Sequence, residues 1–196
     1  MRLAALLVVV AAACARPSPR TPSAAVRSEI ELAEHAERAR KHDVARGHYQ
    51  RAVAQASDPA SIAFARREFA DTLVTWGEYP EAIAQLEAVV AATPNDVAAW
   101  HDLGMLRHNQ GNDTRALEAL ERSKALAPKD VRPRRTLAAL RWKRGDRQGA
   151  LAEYQALAAL DLPDRMRPMV EWAIRALEAQ LAGRPAPPPP ASAPPR

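Results

Sequence analysis

Apolar and small residues recur along the middle of the chain at a constant interval of 34 positions. The most regular copy, residues 97–128, predicts two short amphipathic helices joined at Gly111. The residues that share the interval are Phe69, Leu103 and Leu137; Ala70, Gly104 and Ala138; Gly77, Gly111 and Gly145; Ala82, Ala116 and Ala150; and Leu86, Leu120 and Tyr154. Five spacings in one register indicate a repeated helix–turn–helix unit rather than chance in an alanine-rich chain.

The composition favours helices over a sheet. Aromatic residues make up 5% of the 196 residues, and β-branched residues are too scattered to form strands. The formal net charge is +5, and the cationic surplus is local. It lies in residues 129–147, where eight lysines or arginines face only Asp130 and Asp146. A single cysteine, Cys14, excludes an intrachain disulfide and a cysteine metal cluster.

The first thirteen residues have the pattern of an export signal. Arg2 precedes an apolar run over residues 3–13, which is shorter than the roughly 20 residues that span a bilayer. Three alanines directly before Cys14 resemble the lipobox of bacterial lipoprotein signal peptides, although Ala11 stands where that family usually has Leu or Val. The resemblance implies that the peptide 1–13 is removed and that Cys14 carries the lipid. An ordinary cleaved signal and a misassigned start codon are the alternatives.

Proline-rich segments flank the central region. Residues 14–25 are expected to be a lipidated cysteine followed by an extended linker. Residues 183–196 contain seven prolines and predict a disordered or polyproline-like tail. The tail is interpreted as passive and solvated, with a ligand for a proline-recognising domain as the alternative.

A 34-residue unit with a small residue at position 8, Ala at 20 and Pro at 32 resembles the tetratricopeptide repeat family. The resemblance implies an all-α, right-handed α-solenoid of about four repeats with a capping helix at its C-terminal end. In the first unit Arg40 replaces the turn glycine, so that unit is degenerate. The expected divisions are an array over 26–164, made of units 26–59, 63–96, 97–130 and 131–164, and a capping helix over 165–182.

No group of residues predicts catalysis. His101 and His108 share a helical face, but zinc on a helix favours i, i+4 spacing and a third ligand, and neither is present. The chain also lacks a phosphate-binding glycine loop, a nucleophile elbow and a Cys–His pair. We therefore expect no enzyme activity, no metal and no cofactor.

The resemblance places a ligand groove on the first helix of each unit, at positions 2, 5, 9, 12 and 13. In this sequence the candidate groove residues are Phe64, Arg67, His101, Met105, His108, Asn109, Arg132, Arg135, Trp142 and Lys143. The Lys and Asn residues that clamp chaperone tails in some family members are absent. Arginine beside tryptophan suits peptide recognition, so the groove is expected to bind an acidic or C-terminal peptide segment. The alternative is that these cations only solvate a helix or face anionic lipid head groups.

Together these patterns predict a lipid-anchored scaffold or adaptor that binds a protein partner in the bacterial cell envelope, facing the periplasm from the outer membrane. An exported soluble repeat protein and an activator of a cell-wall enzyme are alternatives. Anionic-polymer binding through the basic fourth repeat is a weaker one. Nucleic acid is not expected, because the chain has a secretory signal and Trp142 is the only aromatic residue within the basic stretch.

Overall fold

The structure, a computed structural model, describes residues 21–190. The predicted signal peptide, Cys14, the first part of the linker and the last six residues of the tail lie outside this range. Within it the chain forms α-helices and no β-strand. The helices are α1 (Ala24–Arg38), α2 (His42–Gln55), α3 (Pro59–Trp76), α4 (Tyr79–Ala92), α5 (Val97–Asn109), α6 (Asp113–Leu126), α7 (Val131–Lys143), α8 (Arg147–Ala158) and α9 (Arg167–Leu181).

The helices pack in chain order. The closest pairs are α1 with α2, α3 with α4, α5 with α6 and α7 with α8, and α9 packs against α8. Each pair also contacts the next one through its neighbouring helices. A helix pair cannot bury its apolar face alone, so this stacking builds an apolar core, which consists of three clusters of buried residues along the chain.

Local signals set the helix ends. Asp58, Asp96 and Asp130 accept hydrogen bonds from backbone N–H groups in the first turns of α3, α5 and α7. The turn glycines have positive φ angles, of which 76° at Gly111 is typical. Arg40, which replaces glycine in the first unit, takes the same left-handed conformation with a φ of 56°.

Small residues allow the helices of a pair to approach closely. A Cβ atom placed on Gly104 in α5 would lie 2.6 Å from Cγ of Leu120 in α6. Leu120 is fully buried, so it has no open space into which it could retreat. The small residue at position 8 therefore allows the two helices of this unit to pack closely.

Two features differ from the simplest repeat. Helix α3 begins at Pro59, the last residue assigned to the first unit, because Asp58 and Pro59 start it early. The start of the proline-rich tail contacts α9: the indole N–H of Trp172 donates to the backbone carbonyl of Pro187 at 2.9 Å.

None of the helices between residues 21 and 190 combines the length and apolar composition needed to cross a bilayer.

Candidate functional site

A cavity of about 540 Å³ lies where α5, α7, α8 and α9 converge. Four of the predicted groove residues line it, namely Met105 and His108 from α5 and Arg135 and Lys143 from α7. The structure thus brings together the groove positions of the third and fourth units. The remaining wall is mostly apolar and includes Ala139, Leu140, Tyr154, Met166, Met169, Trp172 and Ala173.

The charge of the cavity has one sign. Arg135, Lys143 and Arg165 are exposed at its wall, and no aspartate or glutamate lines it. None of the three has an ion-pair partner among residues 21–190. Burial raises the pKa of Tyr154, and the nearby positive charge of Arg135 acts in the opposite direction. The cavity therefore combines an apolar floor with three cations whose charge is not neutralised within the described chain.

The groove histidines are held by acids. His108 Nδ1 lies 2.6 Å from a carboxylate oxygen of Asp113. His101 lies 3.3 Å from both Asp102 Oδ1 and the hydroxyl of Thr136. These contacts orient the imidazoles within the protein. No cluster of three or more potential metal ligands occurs in residues 21–190.

Four other predicted groove residues lie outside the cavity. Arg67 pairs with Asp96 at 3.1 Å, and Arg132 pairs with Asp130 at 2.7 Å, so both charges are locally neutralised. Phe64 packs against the core formed by the earlier helices. Asn109 is exposed at the end of α5.

Trp142 does not line the cavity but packs against residues that do. Its ring centroid lies 5.6 Å from that of Trp172 and 6.1 Å from that of Tyr154. Its indole N–H donates to Gln180 of α9 at 3.1 Å. The two rings that Trp142 contacts both belong to the cavity wall, so Trp142 positions them.

Three of the eight cations in the stretch 129–147 have ion-pair partners among residues 21–190, and two of them are paired with acids on neighbouring helices. Arg134 pairs with Glu153 of α8 at 2.9 Å, and Arg141 pairs with Glu121 of α6 at 2.6 Å. The folded chain thus pairs Arg132, Arg134 and Arg141 with acids. Of the five cations in the stretch that have no ion-pair partner among residues 21–190, Arg135 and Lys143 line the cavity.

The groove changes sign toward its N-terminal half. Burial and the neighbouring Asp71 raise the pKa of Glu68 in α3, and burial and Asp102 raise the pKa of Asp71. Burial is the main cause of both shifts; each carboxylate also lies near another acid, and the positive charge of Arg67 lowers both pKa values. The solenoid thus presents acids near α3 and unpaired cations near α7 and α9.

The predicted groove residues do not include the contribution of α9 and of the segment before it. Arg165 and Met166 from that segment and Met169 and Ala173 from α9 line the cavity, although residues 165–182 are predicted only as a cap. The 34-residue register carries the signal, because Ala173 lies one interval beyond Ala139 and Met169 one interval beyond Arg135. Helix α9 is thus placed as the first helix of a further unit would be.

Comparison with known proteins agrees with this architecture. Residues 67–131 match the family model described as tetratricopeptide repeat. No curated protein sequence matches the chain at a significant level.

The chain is also similar to several solved structures of helical-repeat proteins. A MamA protein superposes with a TM-score of 0.66 at 16% identity, over 81% of this chain and 83% of that one. MamA from Desulfovibrio magneticus RS-1, residues 41 to the end, gives 0.62 at 16% identity, over 82% and 87%. PilF of Pseudomonas aeruginosa gives 0.60 at 16% identity, over 81% and 69%. At these identities the likeness concerns the fold, and it confirms the predicted all-α helical-repeat architecture.

Proposed function

We propose that the chain is a tetratricopeptide repeat protein and a non-catalytic scaffold whose groove binds an acidic, apolar peptide segment of a protein partner. The repeat fold supports a role in protein–protein interaction. The observation that carries the finer proposal is the cavity between α5, α7, α8 and α9, with its three unpaired cations.

The charge, apolar lining and volume of the cavity support the class of ligand that we propose. Arg135, Lys143 and Arg165 favour carboxylates, and arginine binds a carboxylate through two parallel hydrogen bonds. Met166 and Met169 provide flexible apolar surface that adapts to different side chains. A volume of about 540 Å³ accommodates a few side chains of an extended peptide. A segment that combines leucine-like residues with a carboxylate, internal or C-terminal, satisfies all three features.

The difference in charge between the two ends of the groove would orient a bound peptide segment. An anionic segment is attracted to the α7–α9 end and repelled by Glu68 and Asp71 at the other end. Such complementarity governs specificity and association rate more than total affinity. The partner segment would therefore place its negative end over Arg135 and Lys143.

Peptide binding by the full chain tests this proposal. The probes are fluorescein-labelled twelve-residue peptides that carry leucines with glutamates, and the same peptides with glutamine in place of glutamate. We expect saturable anisotropy changes with the acidic set alone, and Arg135→Glu should weaken binding about 10- to 100-fold, the value of a charged hydrogen bond.

Arg122→Glu is the matched control, because Arg122 is exposed on α6, away from the cavity, and makes no ion pair within residues 21–190. It should bind as the unaltered chain does. Equal losses in both variants would reduce the effect to net charge and contradict the proposal. Binding of neither peptide set by a folded chain would also contradict it.

The membrane anchor and the envelope location form the second part of the proposal. They are supported by the apolar run before Cys14 and its similarity to a lipobox. Mass spectrometry of the mature chain tests them: an N-terminal Cys14 carrying diacylglycerol is expected in the membrane fraction. A Cys14→Ser variant should leave that fraction. An intact Met1 would overturn the export interpretation.

A further inference from the structure

The chain turns back on itself after α9. Gly183 has a φ of 69°, which reverses the backbone, and the Arg184 amide donates to the Ala179 carbonyl at 2.8 Å. Three residues later the Pro187 carbonyl accepts the indole N–H of Trp172 at 2.9 Å. The start of the proline-rich tail is therefore held at two points on the same helix.

The spacing of these two points indicates an extended tail antiparallel to α9. From Ala179 back to Trp172 the helix covers about 10 Å, at 1.5 Å per residue. From Arg184 to Pro187 a polyproline II segment covers about 9 Å, at 3.1 Å per residue. The two lengths agree, so the tail runs beside the helix without slack.

Two prolines at the end of the described tail, three residues apart, are partly buried. Pro187 and Pro190 are partly buried, whereas Pro188 and Pro189 between them are exposed. A polyproline II helix has three residues per turn, so one residue in three faces a surface against which it lies. The pattern identifies one face of the tail as the contacting face.

The surface under the tail has the chemistry that recognises such segments. Proline lacks an N–H group, so a polyproline segment offers only carbonyl acceptors and apolar rings. Trp172 supplies both complements, an indole donor and a flat aromatic face, and Trp142 supports it at 5.6 Å. Its ring also belongs to the wall of the cavity.

We propose that the Trp172 face of α9 is a recognition site for a polyproline II segment, and that residues 185–190 of the same chain occupy it. This interaction is separate from peptide binding in the groove, since it uses the indole N–H and the tail. The two sites share one side chain, so tail docking fixes the orientation in which the Trp172 ring meets a groove ligand.

The experiment follows the indole protons of the full chain by ¹H–¹⁵N NMR. Trp172 is assigned with a Trp172→Phe variant. A tail variant carries Pro187→Ser, Pro188→Ser, Pro189→Ser and Pro190→Ser, which removes the preformed polyproline conformation. We expect its Trp172 indole proton to exchange with water about tenfold faster. The natural tail is tethered next to Trp172 at an effective concentration in the millimolar range, which favours the bound and protected state. A synthetic peptide of residues 183–196, at millimolar concentration, should then restore slow exchange.

Trp100 provides an internal control, since its indole N–H donates to the Pro94 carbonyl at the same distance of 2.9 Å, far from the tail. Its exchange should not change. Slow exchange of Trp172 in the tail variant would overturn the assignment of the occupant. Failure of the peptide to restore protection would overturn the recognition site. Protection that depends on protein concentration would assign the occupant to a second copy and contradict binding within one chain.

Discussion

At the scale of single residues, Arg40 shows the cost of losing a repeat consensus. Its backbone has a φ of 56°, the conformation that Gly77, Gly111 and Gly145 adopt in the later units. A side chain costs about 1–2 kcal/mol there, because Cβ lies too close to the following carbonyl oxygen.

We therefore predict that Arg40→Gly stabilises the protein by about 0.5–1 kcal/mol, after allowance for the greater flexibility of unfolded glycine. The reciprocal change, Gly111→Arg, should destabilise it by a similar amount. Urea unfolding at neutral pH measures both. Effects of equal sign for the two substitutions would contradict the backbone explanation.

Glu68 predicts a pH-dependent stability. Burial, Asp71 and Glu34 raise its pKa above the ordinary value of 4.5, so the folded state favours the protonated form. Below pH 4.5 both the folded and unfolded forms are protonated and no cost arises. As the pH rises through the raised pKa, the folded state comes to carry a poorly solvated and repelled charge.

Glu68→Gln should therefore raise the melting temperature by about 1–3 °C at pH 7 and leave it unchanged near pH 3. Thermal unfolding followed by circular dichroism at both pH values is the measurement. Glu118→Gln, on the exposed face of α6, is the control and should show no pH-dependent gain. A gain of equal size at both pH values would point to packing rather than charge.

At the scale of helices, one buried acid joins three elements. Glu153 of α8 has a side chain only 9% exposed, and it pairs with Lys124 of α6 at 2.7 Å and with Arg134 of α7 at 2.9 Å. Both cations are themselves largely covered. Removal of the shared acid would leave the poorly solvated Arg134 without an ion-pair partner, whereas Lys124 would keep Glu121 at 2.6 Å.

Glu153→Ala should accordingly destabilise the protein by about 3 kcal/mol. Glu34→Ala is the matched control, because the Arg38–Glu34 pair is exposed and such pairs contribute at most about 0.5 kcal/mol. Urea unfolding of the two variants gives the comparison. Similar costs for both would mean that the Glu153 network contributes no more than a surface ion pair.

At the scale of the whole molecule, each helix pair of the solenoid contacts only the adjacent pairs. The two ends should therefore unfold independently of each other. Trp142→Ala removes the ring that supports Trp172 and the hydrogen bond to Gln180, both in α9. We predict faster amide hydrogen exchange in α9, by at least about tenfold, with little change in α3 and α4.

The converse variant acts at the other end. Trp76 lies beneath the guanidinium of Arg46 and beside His42, which joins α3 to α2. Trp76→Ala should increase exchange in α2 and spare α9. Loss of protection along the whole chain in either variant would show that the solenoid unfolds as a single cooperative unit.

Much of the fold could be predicted from the sequence because its signals are local. The aspartate caps and the turn glycines each act within a few residues, and the structure contains them at the ends of the helices. The 34-residue interval repeats these local signals along the chain. The candidate site was only partly predictable. Met105, His108, Arg135 and Lys143 meet at the cavity, whereas half of its lining comes from α8, α9 and the segment that connects them.

The sequence by itself determined the helical repeat and its 34-residue register. Only the tertiary structure decided which cations remain free, because Arg134 and Arg141 find their acids 19 and 20 residues away on other helices. It also decided where the tail lies, since one hydrogen bond from Trp172 to Pro187 joins residues 15 positions apart. Such pairings depend on how helices pack against one another, and no local pattern encodes them.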